Sequence, residues 1–328
     1  MRVFLTGGTG FIGGRVAAVL RERGEDVVAL VRSEARAAAL RDLGCRLVEG
    51  GMTSTDVLAR GMDGCDAVLH VAGLYRVGIP ASERPSMFEA SVTGTERVLD
   101  AAIGAGTQRI VHVSTVNVFG NTHGQIVHET YRRPGNDFLS YYDETKYRAH
   151  LAAEERIAAG APVSIAMPGG VYGPGDHSEV GSVIDQLRDD TLRMRTFPEL
   201  GMNLAHVDDI AAGIVLVGDR GRAGESYVIG GEIVRFGEVL DVVGRLTGHR
   251  APRFAVPVWM MKAAIPAGPL IGKVMGTGPN LRELIAAGAG VTYWATDEKA
   301  RKELGYTSRD LETGLRQTLA ASRSTDPD

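Results

Sequence analysis

The feature that most constrains this chain is its first thirteen residues. Arg2-Val3-Phe4-Leu5-Thr6 reads as a short apolar strand, Gly7-Gly8-Thr9-Gly10 as a tight turn, and Phe11-Ile12-Gly13-Gly14 as the opening of a helix that continues through Val16, Val19 and Leu20. Glycines at 8, 10 and 13 give G-x-G-x-x-G, and those at 7, 10 and 13 give the wider G-x-x-G-x-x-G spacing. The first glycines permit the turn, the middle one lets backbone approach a pyrophosphate, and the last lets helix and strand pack closely. Phosphates would then sit on unpaired N–H groups at the positive end of the helix. A glycine pattern alone is weak in a chain holding 43 glycines, and its place between an apolar strand and a helix is what gives it weight.

The rest of the chain repeats that rhythm. Residues 26–32 form a near-continuous apolar run ending in a cation, the mark of a parallel strand buried on both faces. An alanine- and arginine-rich helix is predicted over 35–43 and a short strand over 46–49. Next come a strand over 66–71 closing on Ala72-Gly73, helix over about 85–105, a strand over 109–113, a helix over 142–159 and a strand over 163–166. Such alternation predicts an α/β fold, a doubly wound parallel Rossmann sheet that binds ligands at the carboxyl ends of its strands. Past Pro168 the pattern breaks, resuming at 210–216 and 226–229. With 328 residues, more than one average domain, the expected division is a dinucleotide-binding domain over 1–168, to which 204–232 returns, and a smaller discontinuous substrate lobe over 169–203 and 233–328. Residues 322–328 read as a disordered tail.

Composition excludes other classes. Thirty-six Lys and Arg against 40 Asp and Glu leave a formal charge of −4 with no long run of one sign, so no nucleic-acid partner is expected. Cys45 and Cys65 lack metal-ligand spacing and suit two core thiols in a reducing cytoplasm; no metal site is expected. Met1 runs straight into the first strand, which reads as no signal peptide and a cytoplasmic location. The apolar segment 258–273 has only ten uncharged residues between Lys262 and Lys273, too few for a transmembrane span. It reads as an apolar lid or substrate wall, with a membrane-surface or partner contact as the alternative.

Two further places carry chemistry. Tyr142 and Lys146 are four residues apart, so on a helix they share a face one turn apart. A phenol titrating near about 10 is a poor acid–base catalyst at neutrality. A neighbouring ammonium and an oxidised nicotinamide would each lower it, and three units of lowering takes about 4 kcal/mol. The pair is also common on ordinary amphipathic helices, so its setting decides. Ser114-Thr115 closes a strand at the same carboxyl edge, where a hydroxyl can hold a substrate carbonyl or alkoxide, although strand-end hydroxyls also serve as turn formers.

These residues, with His70-Val71-Ala72-Gly73, Val92-Thr93-Gly94-Thr95, Val118-Phe119-Gly120, Val171-Tyr172-Gly173-Pro174-Gly175, His206-Val207-Asp208-Asp209 and Ala300 to Tyr306, resemble the extended short-chain dehydrogenases/reductases of the NAD-dependent epimerase/dehydratase type. The likeness is nearest to the dihydroflavonol reductase and 3β-hydroxysteroid dehydrogenase branch and covers nearly the whole chain. It implies Thr115 rather than Ser114 as the catalytic hydroxyl, Tyr142 as acid/base, and Lys146 as ribose ligand and pKa-lowering partner. It also implies that Gly7, Thr9, Gly10, Phe11, Ile12 and Gly13 hold the phosphates, that Ala72 and Gly73 line the adenosine side, and that Pro168, Gly169 and Val171 approach the nicotinamide. His206 to Asp209 reads as a helix cap, and a homodimer through helices near 85–105 and 142–159 follows by analogy.

The departures from that pattern bear on ligands. Where NAD-specific members place an acid, this chain has Arg32, followed by Ser33 and Arg36. Cations there suit a 2′-phosphate, so NADP(H) is the preferred cofactor, with NAD the alternative should Arg32 stack on adenine. Gly51-Met52 replaces the usual Gly-Asp, and Ser91 the usual asparagine. Met167-Pro168-Gly169-Gly170 and Met202-Asn203 stand where sugar-nucleotide members show arginines, and methionine cannot grip a pyrophosphate. Trp259, Met260, Met261, Ile265, Leu270 and Met275 then suggest an apolar pocket. The expected function is an NADP(H)-dependent oxidoreductase passing a hydride between nicotinamide and the carbonyl or alcohol carbon of a small, fairly apolar ketone, aldehyde or alcohol. The alternatives are an NAD-dependent nucleotide-sugar epimerase or dehydratase and a non-catalytic dinucleotide sensor; the intact Thr115, Tyr142 and Lys146 set disfavours the sensor.

Overall fold

Seven parallel strands build the main sheet in a computed structural model that describes residues 1–268 and 280–321. The first half runs β1 (Arg2–Thr6), α1 (Phe11–Glu22), β2 (Asp26–Val31), α2 (Ala38–Asp42), β3 (Arg46–Glu49), α3 (Thr55–Met62) and β4 (Ala67–His70). It continues through α4 (Arg84–Phe88), α5 (Gly94–Gly104), β5 (Arg109–Val113), α6 (Tyr141–Ala158) and β6 (Val163–Pro168). Later come β7 (Gly170–Tyr172), α7 (Glu179–Arg188), β8 (Gly201–His206), α8 (Val207–Arg220), β9 (Ser226–Ile229), β10 (Glu232–Arg235), α9 (Phe236–Thr247) and α10 (Val258–Ala263). Three more helices, Leu281–Gly288, Glu298–Leu304 and Leu311–Ala320, flank and follow β11 (Thr292–Tyr293).

The main sheet has the order β3-β2-β1-β4-β5-β6-β9. Because the chain moves outward from β1 to β3 and then returns to β4 on the other side, the order reverses between β1 and β4. That reversal opens a crevice at the carboxyl ends of those strands, where Thr6 lies opposite both Leu30 and His70. Apolar residues cover both sheet faces. α1 and α8 press Val16, Leu20, Ile210 and Ile214 onto one; α3, α5 and α6 press Leu58, Val98, Leu99 and Ala153 onto the other.

Two expected helices are broken. The 35–43 stretch divides into a 3₁₀ turn at Glu34–Arg36 and α2. The 85–105 stretch divides into α4, a π turn at Glu89–Thr93 and α5. In the second, the Thr95 hydroxyl donates to the Ser91 carbonyl at 2.7 Å, a back-bond that competes with the regular helical ladder. Cys45 is buried, but Cys65 is only partly buried in the turn between α3 and β4, so the pair is not symmetrically in the core.

A smaller mixed sheet forms around β8. β10 pairs with it antiparallel on one edge, and on the other β11 and then β7 pair with it in parallel. Strand β8 runs unbroken through 203/204, while α8 and β9 return to the main sheet. Asn203, fully buried in β8, ties the crossings between sheets. Its side chain donates to the Ala295 carbonyl and accepts from the Gly231 backbone N–H at 2.6 Å. A Cβ at Gly169 or Gly230, the residues where the chain leaves the main sheet, would collide with Asn203. Residues 322–328, read as a disordered tail, and 269–273 of the apolar segment lie outside the described residues, as do Leu270 and Met275. Among the described residues no helix is long and apolar enough to cross a membrane, and no cluster could hold a metal ion.

Candidate active site

The glycine turn is shaped by what it excludes. Gly7 has a φ of 77°, and a Cβ there would come within 2.6 Å of the Ala72 nitrogen. At Gly13 it would lie 2.6 Å from the Gly7 carbonyl carbon and overlap its oxygen. Bare backbone thus holds β1, α1 and the Ala72-Gly73 strand end in mutual contact. Helix α1 has Gly10 at its N-cap, no side-chain cap and no acid in its first turn, whereas α6, α7 and α8 are capped by Ser140, Ser178 and His206. Its leading N–H groups are therefore offered to an external anion. Gly10 and Thr9 are exposed and Phe11 and Ile12 half-buried around this end. The cradle fits a dinucleotide pyrophosphate.

Buried polar groups back the turn. The Ala72 N–H donates to Thr6 Oγ1 at 3.3 Å, Thr6 Oγ1 lies 2.7 Å from His70 Nδ1, and His70 Nε2 lies 2.9 Å from Thr95 Oγ1. Since Thr95 spends its proton on the Ser91 carbonyl, His70 donates from Nε2 and accepts at Nδ1. Burial pulls its pKa down to about 3, with the Lys146 charge acting in the same direction, so the ring is neutral. Ser91, whose own hydroxyl is buried without a partner, contributes here through its backbone.

On the other side of the crevice, Thr115 lies just past the end of β5 and caps the following 3₁₀ turn, accepting from the Asn117 N–H at 3.2 Å. Ser114 points the opposite way, 2.9 Å from buried His150 Nδ1, and is spent on structure. The Ser140 cap starts α6 at Tyr141 by accepting from the Asp143 N–H at 3.1 Å, which places Tyr142 and Lys146 on its first turns. Thr115, Tyr142 and Lys146 are all at least nine-tenths buried. Pro168 ends β6, next to β5, with Gly169 and Val171 beyond it. Arg32 and Arg36 are exposed just past β2, without an ion pair among the described residues. Three strand spacings, roughly 14 Å, separate β2 from β5, so these arginines and Tyr142 sit at opposite ends of one crevice.

The electrostatics reverse one expectation. Tyr142 is pushed above its ordinary value, first by burial and then by the Asp143 carboxylate; the Thr115 hydroxyl pulls against them. Lys146 does not depress it in the protein alone. Its Nζ donates to the Val113 carbonyl at 3.2 Å, and burial pulls Lys146 itself down to about 8. Below about pH 8 the folded and unfolded chains both hold this proton, and the fold bears the cost of a buried ammonium. Between 8 and 10.5 only the unfolded chain holds it, so stability rises with pH through that window. Lys146→Met is therefore expected to melt several degrees above wild type at pH 7, with the gain shrinking toward pH 10. Equal melting curves at every pH, by differential scanning calorimetry, would contradict a charged buried Lys146.

Sequence reading missed three neighbours. Tyr75 meets the Tyr142 ring edge-on, 4.9 Å between centroids, from an exposed loop with no motif to mark it. Tyr293 approaches from β11, near enough to act on Tyr142 electrostatically. Arg133 holds Asp143 in a buried ion pair at 3.1 Å and stacks on Phe138 and Tyr147, pinning its loop to the start of α6; Asp143, beside Tyr142 in sequence, was the available clue. The expected apolar wall also needs correction. Met167 and Met202, which stand where sugar-nucleotide members show arginines, are buried in packed cores and were not part of that wall. Trp259 and Met260 are exposed because α10 turns only Met261 inward.

Comparison with known proteins accords with this geometry. The family model described as "NAD dependent epimerase/dehydratase family" matches residues 3–230. A Synechocystis protein assigned as a dihydroflavonol 4-reductase is 33% identical, over 78% of this chain and 76% of its own. The 4-hydroxy-2-methyl-3-oxo-4-farnesyl-3,4-dihydroquinoline-1-oxide ketoreductase of Stigmatella aurantiaca is 31% identical, over 94% of this chain and 92% of its own. The structure of a Streptomyces venezuelae dTDP-glucose 4,6-dehydratase, a double mutant with NAD bound, superposes with a TM-score of 0.78 at 26% identity, covering 97% and 96% of the two chains. The chain thus belongs to the NAD-dependent epimerase/dehydratase family of extended short-chain dehydrogenases/reductases and is an NAD(P)-dependent oxidoreductase of that type.

Proposed function

We propose that this enzyme is an NADP(H)-dependent ketone or aldehyde reductase, or in reverse an alcohol dehydrogenase, for a fairly apolar substrate. The observation that carries the reading is the convergence of Thr115, Tyr142 and Lys146 on the crevice that the bare glycine turn opens. The bound nicotinamide supplies or accepts the hydride. Tyr142 gives the proton to the carbonyl oxygen in reduction and takes it back in oxidation. The Thr115 hydroxyl orients that oxygen. Lys146, one helical turn from Tyr142, binds the cofactor ribose and so orients the nicotinamide toward the phenol. The aromatic rings of Tyr75 and Tyr293, with the lobe built on the small sheet, bound the substrate end.

Two observations support the finer assignments. Arg32 and Arg36 are exposed, form no ion pair among the described residues and suit a 2′-phosphate, and methionines stand where sugar-nucleotide members show an arginine clamp. A relative named for a farnesyl-bearing ketone is consistent with an apolar substrate. NADP⁺ is expected to raise the melting temperature more than NAD⁺ at equal concentration, and Arg32→Glu to weaken NADP⁺ at least about tenfold while sparing NAD⁺. Tightly retained NAD after purification, together with stabilisation by UDP- or dTDP-sugars, would instead support an epimerase or dehydratase.

A further inference from the structure

Charge is unevenly spread along this mildly acidic chain. Between Asp241 and Glu283 lie six Lys and Arg residues and no Asp or Glu. The described part of that stretch ends α9 and begins α10, and its surface is both cationic and apolar. Arg245, Arg250, Arg253 and Lys262 are exposed and form no ion pair among the described residues. Between them stand Phe254 at 54%, Trp259 at 70% and Met260 at 41% exposure.

This display is held in place. The Arg195 N–H donates to the Phe254 carbonyl at 2.9 Å, the Val256 N–H donates to the Arg195 carbonyl at 3.0 Å, and the Arg195 guanidinium donates to the Pro252 carbonyl at 2.6 Å. Met261 anchors α10 inward, which forces Val258, Trp259 and Lys262 outward. Exposing a tryptophan and a phenylalanine to water forgoes the gain of burying their rings, so an exposed pair on a backbone held by these hydrogen bonds calls for an environment that receives it.

We infer that the tip formed by Arg250 to Lys262 docks on the surface of an anionic lipid bilayer. Trp and Phe suit the headgroup–acyl boundary, and Lys and Arg beside them suit anionic headgroups. A groove of about 670 Å³ lined by Arg245, His249, Arg250 and Arg253, and by Asp241, whose carboxylate is paired with Arg195, leaves a net cationic place for headgroup phosphates to sit. α10 packs against the helix Leu281–Gly288. Glu283 of that helix accepts from the Tyr141 N–H at 3.3 Å and pairs with Arg84, so the docking tip is one helix removed from the start of α6. An apolar substrate dissolved in the bilayer would be presented to that side of the crevice. The surface itself does not depend on the reductase reading.

The test is flotation of the full chain with vesicles of pure phosphatidylcholine and of phosphatidylcholine with one-third phosphatidylglycerol. Binding is expected only to the anionic vesicles, weakened by raised salt. Arg250→Gln and Arg253→Gln should each weaken it about fivefold, and Trp259→Ser about tenfold or more. Cofactor-induced thermal stabilisation, read in the same samples, should be unchanged in all three variants. No binding to anionic vesicles, or binding that these variants leave intact, overturns the inference. So does a concentration-dependent dimer in analytical ultracentrifugation that Trp259→Ser dissolves, because the patch would then belong to a second copy of the chain.

Discussion

Tyr142→Phe is expected to lower kcat for carbonyl reduction by roughly 10³-fold, within the range that a positioned proton donor supplies, while leaving dinucleotide affinity within a few-fold of wild type. The phenol is the acidic group placed beside the Thr115 hydroxyl at the end of β5, and the ring itself packs against Tyr75. Phenylalanine keeps the ring packing and removes the hydroxyl that carries the proton. Burial and the Asp143 carboxylate make the phenol a poor acid dissociator by itself, so it is suited to hand a proton directly to a developing alkoxide rather than to release it to water. Steady-state kinetics on a responsive ketone, with cofactor binding measured separately, decides the matter. Wild-type turnover by the phenylalanine variant would remove Tyr142 from the chemistry.

The second large effect is expected at Gly13. A single methyl there would overlap the Gly7 carbonyl oxygen, and both partners are backbone, so neither can swing aside as a side chain would. Either α1 moves away from the turn or the turn opens, and both destroy the surface that meets the pyrophosphate. Gly13→Ala should weaken NADP⁺ binding at least about 100-fold and destabilise the fold by several kcal/mol. Gly14→Ala is the control. Its methyl would rest 3.4 Å from the Gly8 carbonyl oxygen, an ordinary contact, and alanine favours the helix by about 1 kcal/mol over glycine. Isothermal titration calorimetry on the two variants separates them, and indistinguishable affinities would mean that the turn does not contact the phosphates.

Much of this architecture was legible because it depends on local pattern. Unbroken apolar runs such as 27–31 read as strands covered on both faces, and the place of the glycines at 7, 10 and 13 between an apolar strand and a helix gave a weak pattern its weight. The order of Ser114-Thr115, Tyr142 and Lys146 along the chain was one that a single cleft can assemble, and the family resemblance chose Thr115 over Ser114. What remained hidden depends on tertiary contacts. The π turn before α5 follows from a bond between Thr95 and the Ser91 carbonyl that periodicity does not record. The raised Tyr142 pKa follows from burial against residues far apart in the chain. A methionine in sequence could line a pocket or fill a core, and packing placed Met167 and Met202 in cores. Trp259 shows the reverse ambiguity: apolar character suggested an inner wall, and the anchoring of Met261 turned the ring outward.

The crossings tied by Asn203 have a consequence for turnover. A two-lobed enzyme commonly opens by bending at a few free linker dihedrals. Here β8 passes straight into α8 without a linker, and the two glycine crossings are wedged against one buried residue, Gly169 on the Asn203 backbone carbonyl and Gly230 on its side-chain amide. The two sheets therefore have little freedom to swing as separate bodies, and the rate at which product leaves should follow the opening of the exposed Leu74-Tyr75 loop beside Tyr142 rather than a clamshell motion.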